Sequence, residues 1–394
     1  MTVVGDPAGV RLRVSGITIA RNAFLRYGGV NGEAVGVWAA SPGEKVQGVL
    51  IEDNRFDQNE FGIELAARYN GPRLVGTKII GNTFTGGELA IPFDTVATNG
   101  TIDQTLIEDN AFLGVKGAIN LNAAAPGQLT GDTPYGDVIS NTQIVNNLIH
   151  ADNTGIAGIY MRGGSTTTSP PSRVSAVTIE NDTFVDDQAG TLFISLPNGP
   201  AASGNSINDV IVRHTILYEP PGRPIYVTNS GLINLAPDVL TNSLISDPGW
   251  AGTNGNITGA PLFVDAPHGD YHLAATSPLI NAGTTIGAPG YDLDGARRDA
   301  QPDIGAFEFR AVPRPLLSVT AEQLGGDGTV TSSPAGITCG TVCSARFDPN
   351  TAVTLTARPD RGSRFLGWQH GCSGKARCTI TLNSAKAVTA RFAP

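Results

Sequence analysis

Apolar and polar residues alternate along this chain in short bursts, and the bursts recur. One phrase returns eight times: alternating apolar residues, then Asn or a stand-in, a small or polar residue, and a closing apolar one. It reads ITIARNAF at 17–24, VLIEDNRF at 49–56, TKIIGNTF at 77–84 and TLIEDNAF at 105–112. It continues as TQIVNNLI at 142–149, VTIENDTF at 177–184, VIVRHTIL at 210–217 and DVLTNSLI at 238–245. The anchors are Asn22, Asn54, Asn82, Asn110, Asn147, Asp182, His214 and Asn242, separated by 28 to 37 residues. A second apolar burst sits between anchors: GVWAAS (36–41), GIELAA (62–67), AIPFDT (90–95), AINLNA (118–123) and GIYMRG (158–163). TLFISL (191–196) and PIYVTN (224–229) complete that series.

Alternation with period two marks these bursts as strands, and none is long enough for a helix. A single coil of two or three such strands cannot bury its apolar side chains; coils stacked one strand spacing apart close a continuous core. Eight coils at about 4.8 Å each give a cylinder of roughly 38 Å. The expected fold is all-β: a right-handed single-stranded parallel β-helix followed by a small C-terminal all-β domain. The recurring Asn fits, because its amide can bond the same amide in the next coil. This row, over residues 15–245, resembles the asparagine ladder of the pectate-lyase-like parallel β-helix superfamily.

Residues 261–309 carry the phrases PLFVD, DYHL, SPLINAG and DIGAFE. They resemble the closing segment of many secreted bacterial β-helix proteins, which implies a cap over the open end of the cylinder. Asp292, Asp294, Arg297, Arg298 and Asp303 are then expected to form a structural turn and ion-pair set. Asp292-Leu-Asp294-Gly295 faintly resembles a calcium loop without its third ligand and distal Glu, so calcium is the one candidate cofactor.

The β-helix with its closing segment is expected at 1–309, a linker at 310–316 and a separate β-domain at 317–394. GTVTSSPAGITC, FLGW and AKAVTARF in that last stretch resemble the divergent internalin B-repeat of bacterial secreted and surface proteins. All four cysteines lie there and could pair three ways. Cys339–Cys343 and Cys372–Cys378 are close enough to clip local loops, with a four-thiolate zinc site as the rival reading. The disulfide reading assigns no metal ligands and puts the protein outside the reducing cytosol, secreted or at the cell surface. No signal peptide is visible near Met1 and the chain starts inside a coil, so the sequence is expected to be truncated.

Charge sharpens this. Residues 311–394 carry nine Lys/Arg against four Asp/Glu, a net +5; residues 1–310 carry 17 against 31, a net −14. So acidic a body excludes nucleic acid as a partner. No apolar run is long enough to span a membrane, and the chain is expected to act as a monomer.

In pectate-lyase-like β-helices the substrate groove follows the sheet made by the second bursts. Alternation there points Val37, Ile63, Leu65, Ile91, Phe93, Ile119, Leu121, Ile159 and Met161 inward. It points Trp38, Glu64, Pro92, Asn120, Tyr160 and Tyr226 outward in one row, with Asp94, Asn122 and Arg162 in the next. Trp38 and Tyr226 could stack on sugars, and Asn120 and Asn122 could bond hydroxyls. Glu64 and Asp94 could serve as the acid and base of glycoside hydrolysis. Arg162 or Lys116 could stabilise an enolate in β-elimination, with Tyr160 or Lys116 as base. The partner implied is a polysaccharide or cell-surface glycan. The paired Asp motifs and Gly-His-Gly of polygalacturonases are missing, as is the calcium-lined acidic cluster of pectate lyases. His150, His214, His268, His272 and His370 are expected at the surface or in turns. The alternative is a surface adhesin or stalk whose basic C-terminal module makes the contact.

Overall fold

A computed structural model describes residues 2–4, 13–26, 33–123, 136–151, 158–163, 171–185, 192–195, 206–218, 240–246, 252–310, 314–339, 343–348 and 350–394. The chain divides into two compact units, Met1–Phe309 and Arg310–Pro394.

The first unit is a parallel β-solenoid, with about five turns in its regular stretch. Among the described residues three sheets wall it. The first has seven strands, among them Glu33–Ala39, Phe61–Asn70, Leu89–Thr98, Gly117–Ala123 and Ile159–Gly163; the second has twelve and the third eight. The repeating phrase crosses from the second sheet to the third. Ile51, Ile79, Ile107, Ile144 and Ile179 are successive partners along the second sheet and all are buried. In the third sheet the rings of Phe24, Phe56, Phe84 and Phe112 stack with centroids 4.9, 4.7 and 4.9 Å apart. In-register stacking of identical residues follows from the recurring phrase, whatever the length of the loops between, and it makes the core continuous from rung to rung.

The ladder lies at the corner between these two sheets. Asn54 donates its backbone N–H and its amide to Oδ1 of Asn82, at 2.9 and 3.1 Å. Asn82 does the same to Asn110, Asn110 to Asn147, and Asn147 to Asp182. At the exposed start, Asn22 joins Asn54 in the same way. Each amide from Asn54 on also donates to a carbonyl of the rung before it and to one two residues back. A backbone that turns a corner loses its sheet partners, and these side chains replace them.

The last two anchors need correction. Asn242 and His214 stand one residue before the ladder, where φ is positive: 45° and 52°. The ladder passes instead through Thr215 and Ser243: Asp182 N–H reaches Thr215 Oγ1, Thr215 N–H reaches Ser243 Oγ, and Ser243 N–H reaches Asn256 Oδ1. The left-handed position just ahead is filled by Arg21, Asp53, Gly81, Asp109, Asn146 and Asn181 in the earlier rungs. Asn suits both places, which is why Asn242 passes for a ladder residue.

Among the described residues the closing segment lies along the flank of the solenoid. Ile257 pairs with Leu244 and adds a last step to the stack. Residues beyond it turn back along the flank, where Tyr271, Ala306 and Phe307 pack on Leu148, Val185, Leu113 and Tyr218. Leu279 and Ile304 cover Ile216 and Leu244. The segment therefore covers the outer side of the third sheet across several rungs. Its polar residues hold it together and tie it to the solenoid. Arg298 is buried and donates to Glu308 at 3.2 Å, to Gly305 O at 2.8 Å and to Asn146 Oδ1 at 2.7 Å. Asp303 accepts from the N–H of Asn281 and of Phe309. Asp292 accepts from the N–H groups of Asp294, Ala296 and Glu308.

The second unit holds two four-stranded sheets over a core of Leu317, Val330, Val353, Leu355, Trp368, Val388 and Phe392. The disulfides are Cys339–Cys343 and Cys372–Cys378, and no cysteine is free. Among the described residues no helix is long and apolar enough to cross a membrane.

Candidate functional site

The outer face of the first sheet carries the candidate residues, because alternation within its strands turns every second side chain away from the core. Val37, Ile63, Leu65, Ile91, Phe93, Ile119, Leu121, Ile159 and Met161 are buried inward. Two rows face out. Gly36 lies beside Glu64 in one, and Pro92, Asn120 and Tyr160 continue it. Trp38, Ala66, Asp94, Asn122 and Arg162 form the other. Trp38 thus belongs to the row of Asp94, one step along the strand from where its place in the repeat would put it. Tyr226 lies outside the described residues.

At one end of this face a charged cluster has formed. Arg68 Nη2 is 2.7 Å from Glu64 Oε1 and 4.0 Å from Asp94 Oδ2. The Arg68 guanidinium also lies 4.2 Å above the centre of the Trp38 ring, a cation–π contact worth about 1 kcal/mol where partly desolvated. Burial pushes the Glu64 carboxyl above its usual range, with Asp94 and Glu33 adding to that and Arg68 and the Trp38 indole opposing it. Burial likewise raises Asp94, against the pull of Arg68. Glu64 is only 6% exposed although it points outward; Arg68 is what makes its charge tolerable there.

Arg68 and Glu33 are the members that sequence reasoning missed. The burst GIELAA ends at residue 67, but the strand runs from Phe61 to Asn70. Extending the alternation by one outward step reaches Arg68, so the signal was present in the strand's polar tail.

The remaining candidates divide. Asn120 and Asn122 lie on the strand next to Asp94, with Tyr160 and Arg162 on the strand after. Arg162 is two strands from Asp94, about 10 Å of backbone spacing. Lys116 sits at the corner leading into the first sheet and pairs with Glu88, so the fold does not bring it to the Glu64 cluster. Among the polar atoms buried on this face without a hydrogen-bond partner among the described residues are Arg68 Nε, Asp94 Oδ1, Asn120 Oδ1, Asn122 Oδ1 and Arg162 Nε, with Glu33 Oε2 beside them. Each unmade bond of this kind costs about 1–3 kcal/mol, so their gathering on one face is informative.

Calcium finds no ready ligand set. Among the described residues no group of three or more His, Cys, Asp or Glu side chains is placed to hold a metal ion. The carboxylates of the cluster already share Arg68, and Asp292 spends its oxygens on backbone N–H groups. His214 lies in the turn between two strands, as expected, but it is buried, and its Nε2 lies 2.9 Å from Thr284 Oγ1 and accepts the Thr284 N–H. It pins the closing segment to the solenoid.

Residues 319–394 match the family model described as the divergent InlB B-repeat domain. That covers most of the second unit and none of the solenoid. No curated protein matches the chain.

Proposed function

We propose that this is an extracellular β-helix protein that binds a polysaccharide along the outer face of its first sheet. The observation that carries this reading is the set of unpartnered polar atoms, Arg68 Nε, Asp94 Oδ1, Asn120 Oδ1, Asn122 Oδ1 and Arg162 Nε among them, spread over adjacent strands of one face. A chain of sugars is a ligand that donates and accepts hydrogen bonds repeatedly along its length, once per strand spacing. Two disulfides support an oxidising compartment, and the B-repeat match supports a surface protein.

Binding is better supported than cleavage. Glu64 and Asp94 are drawn to one guanidinium that Trp38 also holds, which leaves neither carboxyl poised as an independent acid. A stacking role for Trp38 is weakened for the same reason, since Arg68 covers a face of its ring. The pectate-lyase-like resemblance supports the location of the face, not a reaction. A glycan array and a depolymerisation screen on the purified chain, with and without calcium, test this. Binding without release of reducing or unsaturated ends is expected; release of either, abolished in Glu64→Gln or Asp94→Asn, would replace binding with catalysis.

A second reading, an adhesin that acts through its C-terminal module, is favoured by the exposed Arg358, Arg361, Arg364, Lys375 and Arg377 of that unit. Polymer binding that persists when the first-sheet face is substituted would support it.

A further inference from the structure

Granted that the first-sheet face is the glycan surface, which the reading above supplies, its atoms also select among glycans. We infer that the face takes a neutral, hydroxyl-rich chain and rejects uronate or sulfated ones, with Asn120 and Asn122 reading its hydroxyls.

The charges come first. Glu33, Glu64 and Asp94 stand against Arg68 and Arg162, and Arg68 is already committed between Glu64 and Trp38. Among the described residues of this face one guanidinium, Arg162, two strands from Asp94, is left for an anion. An anionic polymer laid across these strands would bring further negative groups beside Asp94, which is half-buried and poorly solvated. Like charges held together in such surroundings are costly. Burial already holds the Asp94 carboxyl above its usual range, and an added anion would oppose its ionisation further.

Hydrogen-bond chemistry points the same way. Among the unpartnered atoms Asp94 Oδ1, Asn120 Oδ1 and Asn122 Oδ1 are acceptors on neighbouring strands in register. Carboxylate and sulfate groups have no proton to give them. A hydroxyl both donates and accepts, so one functional group satisfies these oxygens and the Nε–H of Arg68 and Arg162 alike. Strands repeat at about 4.8 Å, close to the length of one pyranose unit. The row Asp94–Asn122–Arg162 thus offers one polar group to each successive sugar.

The test is calorimetric titration of the full chain with neutral hexasaccharides and with uronate and sulfated oligosaccharides of matched length. Neutral chains are expected to bind with little dependence on salt. Asn120→Ala and Asn122→Ala should each weaken binding about tenfold or more, the value of one lost hydrogen bond in a desolvated site, with unchanged melting temperature. Asp94→Asn should admit uronate chains that the unsubstituted protein refuses, a gain that misfolding cannot imitate. Tighter binding of uronate or sulfated chains, lost in the two Asn variants, would overturn the neutral preference and leave the face as the glycan surface. Binding indifferent to Asn120, Asn122 and Asp94, or no glycan binding at all, would overturn both.

Discussion

A single side chain in this fold does the work of a missing backbone partner. Asn110 accepts from Asn82 and donates to Asn147, Ile79 O and Glu108 O. Asn110→Ala should therefore cost about 2–4 kcal/mol in urea unfolding, because it strands the Asn82 N–H and several carbonyls as well as losing its own bonds. Asp182 is the odd member. It replaces Asn in a fully buried ladder position, and desolvation lifts its pKa to about 8. The sign follows directly. Between about pH 4, its unfolded value, and pH 8 the folded state retains a proton that the unfolded state releases. Its contribution to stability is therefore full below pH 4 and declines as pH rises through that window. Asp182→Asn should restore the amide pattern, raise stability at pH 8 by about 1–3 kcal/mol and have much less effect near pH 4. Thermal melts across pH check this; a variant that is less stable at pH 8 would refute it.

Elements are held in place by close approaches as much as by hydrogen bonds. The closing segment meets the solenoid at Gly305, whose φ is +102° and where an added Cβ would lie 2.5 Å from Ile216 Cδ1 and 2.9 Å from Thr183 Oγ1. The same residue's N–H bonds His214 O, and the next N–H bonds Thr183 Oγ1. Gly305→Ala should accordingly lift the segment off the third sheet, at about 2–4 kcal/mol for overpacking plus a disallowed φ. Faster hydrogen exchange over 261–309, with rungs near Ile79 and Ile107 unaffected, is the expected result; uniform destabilisation would show that segment and solenoid unfold as one. The cluster on the first sheet is governed at this scale too. Arg68→Leu removes the cation from a buried carboxylate, and a loss of about 3–5 kcal/mol is expected, partly recovered in a double variant with Glu64→Gln.

Across the whole molecule, two units with separate cores should unfold in separate transitions. The disulfides close loops with sequence separations of 4 and 6 residues, so each contributes about 2 kcal/mol in the chain-entropy account. Calorimetry with reductant should lower the transition of the B-repeat unit and leave that of the solenoid in place; a shift of both would contradict independent folding. The contrast of an acidic body and a basic C-terminal unit also makes any polyanion binding of the full chain salt-sensitive and confined to 310–394.

The repeat, the strands and the inward set were legible in the sequence by itself, because alternation and a recurring phrase are properties of consecutive residues. Ile63, Leu65, Ile91 and Phe93 could be oriented by parity alone. The disulfide pairs were legible as near neighbours, with zinc left as the rival. Tertiary structure decided what depends on lateral register. It moved the ladder from Asn242 to Ser243, because both the corner and the left-handed residue before it welcome Asn. It set Trp38 beside Ala66, in the row of Asp94, and brought Arg68 onto Glu64, because unequal coil lengths shift which residues become neighbours. It also laid residues 261–309 along the flank of the third sheet, a placement governed by Leu148, Val185 and Tyr218 on distant rungs. Local pattern tells each residue which way to face; only the closed stack determines what it faces.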